Sequence, residues 1–317
     1  MVTVRLATLQ DTAAICALHC SDVPQWTRLT ADGQLVPADY ASLSLYERWQ
    51  HGGAWLSLET CAVHLNRLLA GSGFPLVACV DGQVVAEMEV YESFEPPPFG
   101  HNLEISVINT HADHQRRGYG TALIQYGLQM ARMMRCERLC VSDADAHGFY
   151  EKLGFRHTLS GCGVRFPTEA GRILYQAVEL KQRDPEQIKG WYMPFGRYRG
   201  SRQEWDKLFP QDWAAGIPEL LNRAVVHLQM TLSGGQRLIA FLSEPEQLDS
   251  PPGEMHLACW SERPPTQLAV AALRDWAYRQ GIPSLLTYVW QTEVHLLPST
   301  AAQTEYSQTF YEYSLQS

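Results

Sequence analysis

The sequence predicts an α/β protein built around a mixed β-sheet, and three patterns support this fold class. The first is an apolar strand pattern over 102–110, followed by a glycine-containing turn and a helical pattern. The second is a pair of segments, 74–80 and 83–91, joined by the turn-forming pair Asp81-Gly82, which predicts a β-hairpin. The third is that residues 224–290 repeat the order of hairpin, strand, helix and strand.

Length and composition predict two globular domains. A chain of 317 residues is long enough for two domains, and a hydrophobic content of 45% with 19% charged residues argues against disorder. The polar segment 181–189 contains a proline and is typical of a linker. We therefore predict a first domain over 1–180 and a second α/β domain over 181–317.

Charge and cysteine usage limit the partners and the compartment. The formal net charge of −9 argues against a general nucleic-acid-binding surface and suits a cationic substrate such as an amine. Eight cysteines without a C-x-x-C motif predict free thiols in a reducing compartment. The N-terminus lacks a secretory pattern, and no segment is long and apolar enough to span a membrane. These features predict a cytoplasmic protein.

The turn that follows the strand at 102–110 is predicted to bind an anion. It reads Q-R-R-G-Y-G over 115–120, where glycines allow a close backbone approach and the helix N-terminus adds partial positive charge. Arg116 and Arg117 can bind a diphosphate through charge-assisted hydrogen bonds. The P-loop pattern is absent because no G-K-[ST] follows, and the dinucleotide-binding fingerprint lacks its third glycine. The residues alone predict only a phosphate-bearing ligand.

Two segments together resemble a known family. Residues 115–120 are similar to the acetyl-CoA pyrophosphate loop of the GNAT N-acetyltransferase superfamily, whose pattern is Q/R-x-x-G-x-G/A. Residues 146–155, A-H-G-F-Y-E-K-L-G-F, resemble the second signature of that family, and the resemblance covers roughly residues 2–180. It implies the acyl-CoA N-acyltransferase (GNAT) fold and acetyl-CoA as the acetyl donor. It also implies direct attack by a primary amine of a small molecule or peptide in a ternary complex.

The resemblance implies which residues hold acetyl-CoA. Backbone groups at the end of the strand should pair with the pantetheine amides, and one N–H should stabilise the oxyanion. The loop should hold the diphosphate, and a helix phenylalanine should pack against the pantetheine arm. An aspartate stands where many relatives have an asparagine that contacts the cofactor. The implied cofactor-binding residues are Ile108, Asn109, Thr110, Gln115, Arg116, Arg117, Gly118, Tyr119, Gly120, Thr121, Asp143 and Phe149.

Tyr150 and Glu104 are the predicted catalytic residues. The second signature implies that Tyr150 protonates the departing thiolate of coenzyme A, and a tyrosine packed under the sheet is the alternative. Some members of the family carry a general-base glutamate at the offset of Glu104, where a carboxylate could take the proton of an ammonium group. An outward-facing strand glutamate is the alternative. His111 and His114 remain alternative bases, and because no fourth ligand is evident we predict no metal site.

Aromatic and acidic residues are predicted to line the acceptor site. In the family, the region between the first two helices covers this site, and residues 22–55 are rich in aromatic side chains. On the second hairpin strand, two glutamates and a tyrosine share one face, and a cleft-facing carboxylate would attract an ammonium group. A solvated strand face and simple aromatic packing are the alternatives. The predicted substrate-binding residues are Trp26, Glu87, Glu89 and Tyr91.

Two functions remain open on the sequence. The first is an acetyl-CoA-dependent N-acetyltransferase, which Tyr150 favours, and the alternative is a non-catalytic acyl-CoA-binding sensor or scaffold. The second domain lacks a glycine pair before its helix at 266–280, so it is predicted to be a degenerate GNAT-like copy, as in tandem acetyltransferases. An unrelated α+β domain is the alternative. We expect a monomer or a homodimer.

Overall fold

The computed structural model describes residues 1–144, 146–245 and 250–315 as an α/β protein with mixed β-sheet pairing. The strands are β1 (Val2–Leu6), β2 (Thr27–Leu29), β3 (Leu35–Pro37), β4 (Phe74–Val80), β5 (Gln83–Phe94), β6 (His101–Thr110), β7 (Arg138–Ser142), β8 (Arg156–Pro167), β9 (Tyr175–Glu179), β10 (Tyr192–Phe195), β11 (Val225–Leu232), β12 (Arg237–Ser243), β13 (Met255–Ser261), β14 (Ser284–Trp290) and β15 (Ala302–Ser314). The α-helices are α1 (Thr12–Cys20), α2 (Leu45–Gln50), α3 (Leu58–Arg67), α4 (Tyr119–Met133), α5 (His147–Lys152), α6 (Ser201–Asp206), α7 (Pro218–Leu221) and α8 (Gln267–Arg279). The predicted fold class is confirmed.

The chain forms two compact units that alternate along the sequence. Unit 1 consists of Met1–Glu92, Ile105–Arg135 and Phe209–Asn222, and unit 2 consists of Ser93–Glu104, Cys136–Leu208 and Arg223–Ser317. Strands β5 and β6 therefore each contribute residues to both units. The division of the sequence into 1–180 and 181–317 stays a prediction.

Unit 1 carries the strand order β1-β4-β5-β6. Strand β1 is antiparallel to β4, and β4 forms the predicted hairpin with β5. Asp81 and Gly82 both have positive φ angles, of 50° and 82°, as the tight turn of such a hairpin requires. Helices α1 and α3 pack on this sheet through a buried core of Ala7, Ile15, Cys16, Cys61, Leu65, Val77 and Cys79.

Unit 1 also contains the short α7, where the sequence pattern indicates one longer helix over 211–222. The structure has a 3₁₀ turn at Pro210–Asp212 and the one-turn α7 instead. Gly216 adopts a φ of 71° and Pro218 opens the next turn, so the backbone between them cannot continue a helix. The segment packs on α2 through Trp213, whose ring stacks on Trp49 at 5.3 Å.

Unit 2 carries the strand order β7-β15-β8-β14-β13-β12-β11-β9, with β10 paired to β13. The C-terminal strand β15 lies between β7 and β8 and is antiparallel to both. Strands β13 and β14 are parallel, whereas β14 and β8 are antiparallel. The hairpin β11–β12, followed by β13, α8 and β14, confirms the predicted element order of the second half.

All eight cysteines are free thiols, and seven of them are buried, whereas the reducing compartment stays a prediction. Burial suits a thiol because cysteine packs as a small apolar side chain. None of the helices in the described ranges has both the length and the apolar character needed to cross a bilayer.

Candidate functional site

The glycine loop opens the longest helix of unit 1. Gly118 is the N-cap of α4 and has a φ of 85°, a left-handed conformation that glycine adopts without strain. Arg116 also has a positive φ, of 61°. Within the described residues, the backbone N–H groups of 118–121 donate no hydrogen bond. These free donors and the helix N-terminus form a concentrated site for an anion.

Side chains around the loop leave its positive charge available. Arg116 and Arg117 are exposed and have no ion-pair partner in the described part of the chain. Tyr119 and Thr121 are half-buried, and the Tyr119 ring lies 6.3 Å from that of His114. Gln115 is fixed at the start of the loop because its Nε2 donates to Asp22 Oδ1 at 3.1 Å.

The end of β6, residues 108–110, is half-buried and leads into this loop. Asn109 accepts a hydrogen bond from the Thr110 backbone N–H at 2.7 Å. Its Nδ2 lies 3.4 Å from Nδ1 of His19, which stands at the C-terminal end of α1. The predicted cofactor strand is therefore in contact with a histidine that the sequence analysis did not single out.

Glu87 is buried in unit 1 and pairs with that histidine. Its side chain contacts His19 Nε2, and both side chains are almost inaccessible to solvent. Burial raises the pKa of Glu87, and His19 partly offsets this. Burial opposes protonation of His19, but the charge and hydrogen bond of Glu87 outweigh it, so the pKa of His19 lies above its ordinary value. The pair holds a titratable proton within the protein.

Glu89 belongs to a second pair two residues further along β5. His64 Nε2 lies 2.9 and 3.0 Å from its two carboxylate oxygens, and Trp55 Nε1 donates to Oε1 at 2.7 Å. Burial alone would raise the pKa of Glu89, but His64 and Trp55 together hold it below its ordinary value. The Trp55 ring also stacks on His19 at 5.2 Å, so it links the two pairs.

The other predicted acceptor residues of unit 1 lie in aromatic surroundings. Trp26 is half-buried and meets Tyr40 and His51 edge to face, each at 4.9 Å. Tyr91 is buried, and its ring packs close to Gly73. The substrate-binding role of these residues and of the two glutamates stays a prediction.

Tyr150 and Phe149 lie together on α5 in unit 2. Tyr150 is buried, and its ring lies 5.2 Å from that of Phe149 and 5.5 Å from that of Phe155. Gly154 ends the helix with a φ of 90°, as the second signature implies. The Tyr150 ring is therefore packed between the aromatic rings of Phe149 and Phe155.

Asp143 follows β7 and already has a protein partner. Its φ is 55°, and Tyr198 donates a hydrogen bond to its Oδ2 at 2.6 Å. Burial and this hydrogen bond raise the pKa of Tyr198 to about 12. Any cofactor contact by Asp143 would have to be made alongside Tyr198.

Glu104 is the centre of a buried charge cluster in unit 2. Arg197 donates from Nη2 to Glu104 Oε2 at 2.7 Å and lies 3.2 Å from Glu95 Oε1, and all three side chains are about 1% exposed. The Arg197 guanidinium also stacks over the Phe99 ring at 3.7 Å. Glu104 additionally accepts a hydrogen bond from Ser142. Its role as a base stays a prediction, and such a role would have to be compatible with the arginine.

Two carboxyls near Arg197, those of Glu95 and Glu293, have pKa values shifted from their ordinary value. Burial raises the pKa of Glu95 to about 7, although Arg197 works in the opposite direction. Burial likewise raises the pKa of Glu293 to about 7. One oxygen of each carboxyl is buried without a hydrogen-bond partner among the described residues. This cluster therefore changes its charge near neutral pH.

The structure brings together some of the predicted residues and not others. Within unit 1 it links Asn109 to Glu87 through His19, and within unit 2 it places Phe149 beside Tyr150. The sequence analysis missed His19, His64 and Arg197. A glutamate on a strand that proves to be buried requires a basic partner, as Glu87, Glu89 and Glu104 do. Nothing in the sequence indicates which residue that partner is.

Comparison with known proteins assigns one segment of the chain to a family. Residues 37–155 match the model of the acetyltransferase (GNAT) family. This range includes the glycine loop, the left-handed Gly118 and the F-Y-E-K-L-G-F signature. The chain therefore contains a GNAT acetyltransferase domain. No curated protein matches the sequence as a relative.

Solved structures extend the likeness to the whole chain at the level of fold. A GCN5-related N-acetyltransferase from Anabaena variabilis is 12% identical, with a TM-score of 0.57 over 100% of this chain and 73% of its own. One from Kribbella flavida is 10% identical, with a TM-score of 0.58 over 99% of this chain and 71% of its own. A probable N-acyltransferase from Enterococcus faecalis gives 11% identity and a TM-score of 0.55, covering 98% and 72%. At these identities the likeness concerns the fold, which is that of the acyl-CoA N-acyltransferases.

Proposed function

We propose that the protein is an acetyl-CoA-dependent N-acetyltransferase that acts on a primary amine of a small molecule or peptide. The observation that carries this proposal is the loop at 115–120. In a domain of the GNAT family, it combines a left-handed Gly118 with N–H groups on 118–121 and two arginines that have no partner among the residues described by the structure. A diphosphate with its negative charges fits such a cradle.

The proposed reaction requires specific roles of residues 108–110, Phe149 and Tyr150. In the proposal, the backbone of 108–110 pairs with the pantetheine amides, and one N–H stabilises the oxyanion that forms when the amine attacks the thioester. Phe149 packs against the pantetheine arm. The C–S bond then breaks, and the Tyr150 hydroxyl gives a proton to the departing thiolate. No covalent enzyme intermediate is needed because the amine attacks directly.

Binding of the cofactor is tested on the loop. The double variant Arg116→Ala/Arg117→Ala should bind acetyl-CoA about tenfold or more weakly, because two charge-assisted hydrogen bonds are lost. The loss should be larger at low salt, where charges are less screened. Arg132→Ala/Arg135→Ala removes the same charge at the other end of α4 and serves as the matched control. Equal affinity of the two double variants in calorimetry would reject the loop as the diphosphate site.

Turnover is tested separately from binding. The wild type is incubated with acetyl-CoA and a panel of primary amines, and release of the coenzyme A thiol is followed together with the acetylated product. Tyr150→Phe should lower kcat about tenfold to a hundredfold and leave acetyl-CoA affinity unchanged, since only the proton donor is removed. Binding of acetyl-CoA without transfer to any amine would favour the acyl-CoA sensor instead. Cytoplasmic location and a monomeric or homodimeric state stay predictions.

A further inference from the structure

The C-terminal end of α1 is held against the segment that joins β6 to the glycine loop. Three hydrogen-bond contacts within unit 1 fix it there. Asn109 Nδ2 lies 3.4 Å from His19 Nδ1, the Ala112 N–H donates to Ser21 Oγ at 3.0 Å, and Gln115 donates to Asp22 at 3.1 Å. His19 therefore lies beside residues 108–110, the stretch that the proposed function assigns to the thioester end of the cofactor.

The hydrogen bonds around Asn109 define the tautomer of His19. The Thr110 backbone N–H can only donate, so the Asn109 atom that it meets at 2.7 Å is the carbonyl oxygen Oδ1. The atom that faces His19 is then the NH₂ group, which can only donate. His19 Nδ1 must accept, and in the neutral ring the proton is on Nε2, where it meets the Glu87 carboxylate. The ring thus has its lone pair on the side of the cofactor strand.

The surroundings of His19 make that lone pair basic and keep it oriented. Glu87 and Glu89 on β5 and Asp22 after α1 are the charged groups that act on the ring, and all three are acidic. The Cys16 thiol on the same helix also interacts with the charge of His19. Trp55 stacks on the ring at 5.2 Å with an interplanar angle of 20°, which restricts its rotation. A buried carboxylate behind one ring nitrogen is the arrangement that orients a histidine for proton transfer at the other.

We propose that His19 is the proton acceptor of the transferase, and that Glu87 is the residue that orients the imidazole and favours its protonated form. This inference rests on the proposed function. An ammonium group that reaches the end of β6 gives its proton to His19 Nδ1 and displaces the long contact with Asn109. The amine nitrogen then forms a bond to the thioester carbon, the C–S bond breaks, and its electron pair leaves on sulfur. The thiolate takes a proton from Tyr150. The nitrogen loses its second proton through water as the amide forms, and that proton restores the Tyr150 hydroxyl, while His19 releases the first proton to water.

The second histidine–glutamate pair provides a control inside the same unit. His64 is half-buried, contacts Glu89 on the same strand and packs on the same tryptophan. Its contact is with both carboxylate oxygens, and no residue of 108–110 is among its hydrogen-bond partners in the described chain. A substitution of His64 therefore reproduces the loss of a histidine that is paired with a buried glutamate of β5, without touching the proposed acceptor.

The test compares His19→Gln, Glu87→Gln and His64→Gln in the full-length protein, with one amine that the wild type acetylates. His19→Gln should lower kcat about a hundredfold and Glu87→Gln about tenfold, with acetyl-CoA affinity unchanged in both. The wild-type kcat/KM should rise with pH as His19 loses its proton. Glu87→Gln should move that rise to lower pH, because the carboxylate charge that favours the protonated imidazole is gone. The amine itself is the same in every assay, so such a shift belongs to the protein.

The outcomes distinguish failure of the role proposed for His19 from failure of the proposed acetyltransferase function. Suppose that the wild type transfers the acetyl group. An active His19→Gln variant, or a pH profile that is the same in Glu87→Gln as in the wild type, would then overturn the role of His19 and leave the proposed function standing. The same follows if His64→Gln loses as much activity as His19→Gln. A wild type that binds acetyl-CoA and transfers to no amine would overturn both.

Discussion

Two clusters of buried glutamates, one in each compact unit, differ in the kind of cation that neutralises them. In unit 1, Glu87 pairs with the imidazole of His19, a titratable group whose pKa Glu87 holds above its ordinary value. In unit 2, Glu104 pairs with Arg197, whose guanidinium does not lose its proton in proteins. The cation of the first cluster can therefore accept and release a proton, whereas the cation of the second cannot, although burial raises the pKa of the neighbouring Glu95 and Glu293 to about 7. This difference is why we assign proton transfer to unit 1 and a structural role to Arg197.

The conformation of the chain around Arg197 supports that structural role. Gly196 precedes it with a φ of 77°, and a Cβ there would lie 2.5 Å from the Ala258 Cα. Gln308 on β15 donates to the Arg197 carbonyl oxygen at 3.0 Å. Several elements of unit 2 thus converge on one buried guanidinium, which satisfies carboxylates that would otherwise be costly to bury.

The largest effect is expected from Arg197→Met. Removing the arginine leaves Glu104 and Glu95 buried without their shared cation, so the free energy of unfolding should fall by roughly 3–5 kcal/mol. Urea unfolding measures this loss. Arg237→Met breaks the exposed pair with Glu262 in the same unit and should cost at most about 1 kcal/mol. Similar losses in the two variants would mean that the buried cluster contributes no more than a surface ion pair.

A smaller effect is expected from His19→Leu at low pH. Glu87 can take a proton when its partner is lost, because burial already raises its pKa, so the cost near pH 5 should be roughly 1–3 kcal/mol. This cost should grow by up to about 1.4 kcal/mol for each unit of pH. The reason is that Glu87 is ionised in the unfolded chain at higher pH, whereas the folded protein must either protonate it or bury its charge. Unfolding curves at pH 5 and pH 8 test this. A loss that is independent of pH would contradict the titratable character of the pair.

The smallest effect is expected from Glu293→Gln, and its sign depends on pH. The folded-state pKa of about 7 lies above the ordinary value of 4.5, so the folded protein binds this proton more tightly than the unfolded chain does. Glu293 therefore reduces stability as pH rises from 4.5 through 7. The glutamine variant should be about 2–3 kcal/mol more stable than the wild type at pH 8 and less than about 1 kcal/mol more stable at pH 5. Equal differences at both pH values would show that the carboxyl does not titrate in this window.

Much of the fold was predictable because its signals are local. The turn at Asp81-Gly82 requires positive φ angles, and the alternating segments on either side specify a hairpin. Gly118 in a left-handed conformation before α4 follows from the loop motif in the same way. The insertion of β15 between β7 and β8 was not predictable, because strand order depends on contacts between segments that are far apart in the sequence.

The site was predictable in its cofactor loop and much less so in its charges. Glu87, Glu89 and Glu104 were singled out as acidic strand residues, but their partners are distant in sequence. His19 lies 68 residues from Glu87, and Arg197 lies 93 residues from Glu104. Only the packed structure determines that one carboxylate meets an imidazole and another a guanidinium, and that choice decides which of them can exchange a proton.

The most direct test of this account is a pH titration of the His19 imidazole in the wild type, observed by nitrogen NMR with coenzyme A bound. We predict that neutral His19 carries its proton on Nε2 and that its pKa lies above the ordinary histidine value, falling when Glu87 is replaced by glutamine. A proton on Nδ1 in the neutral ring, or a pKa that is indifferent to Glu87, would contradict the assignment of His19 as the proton acceptor.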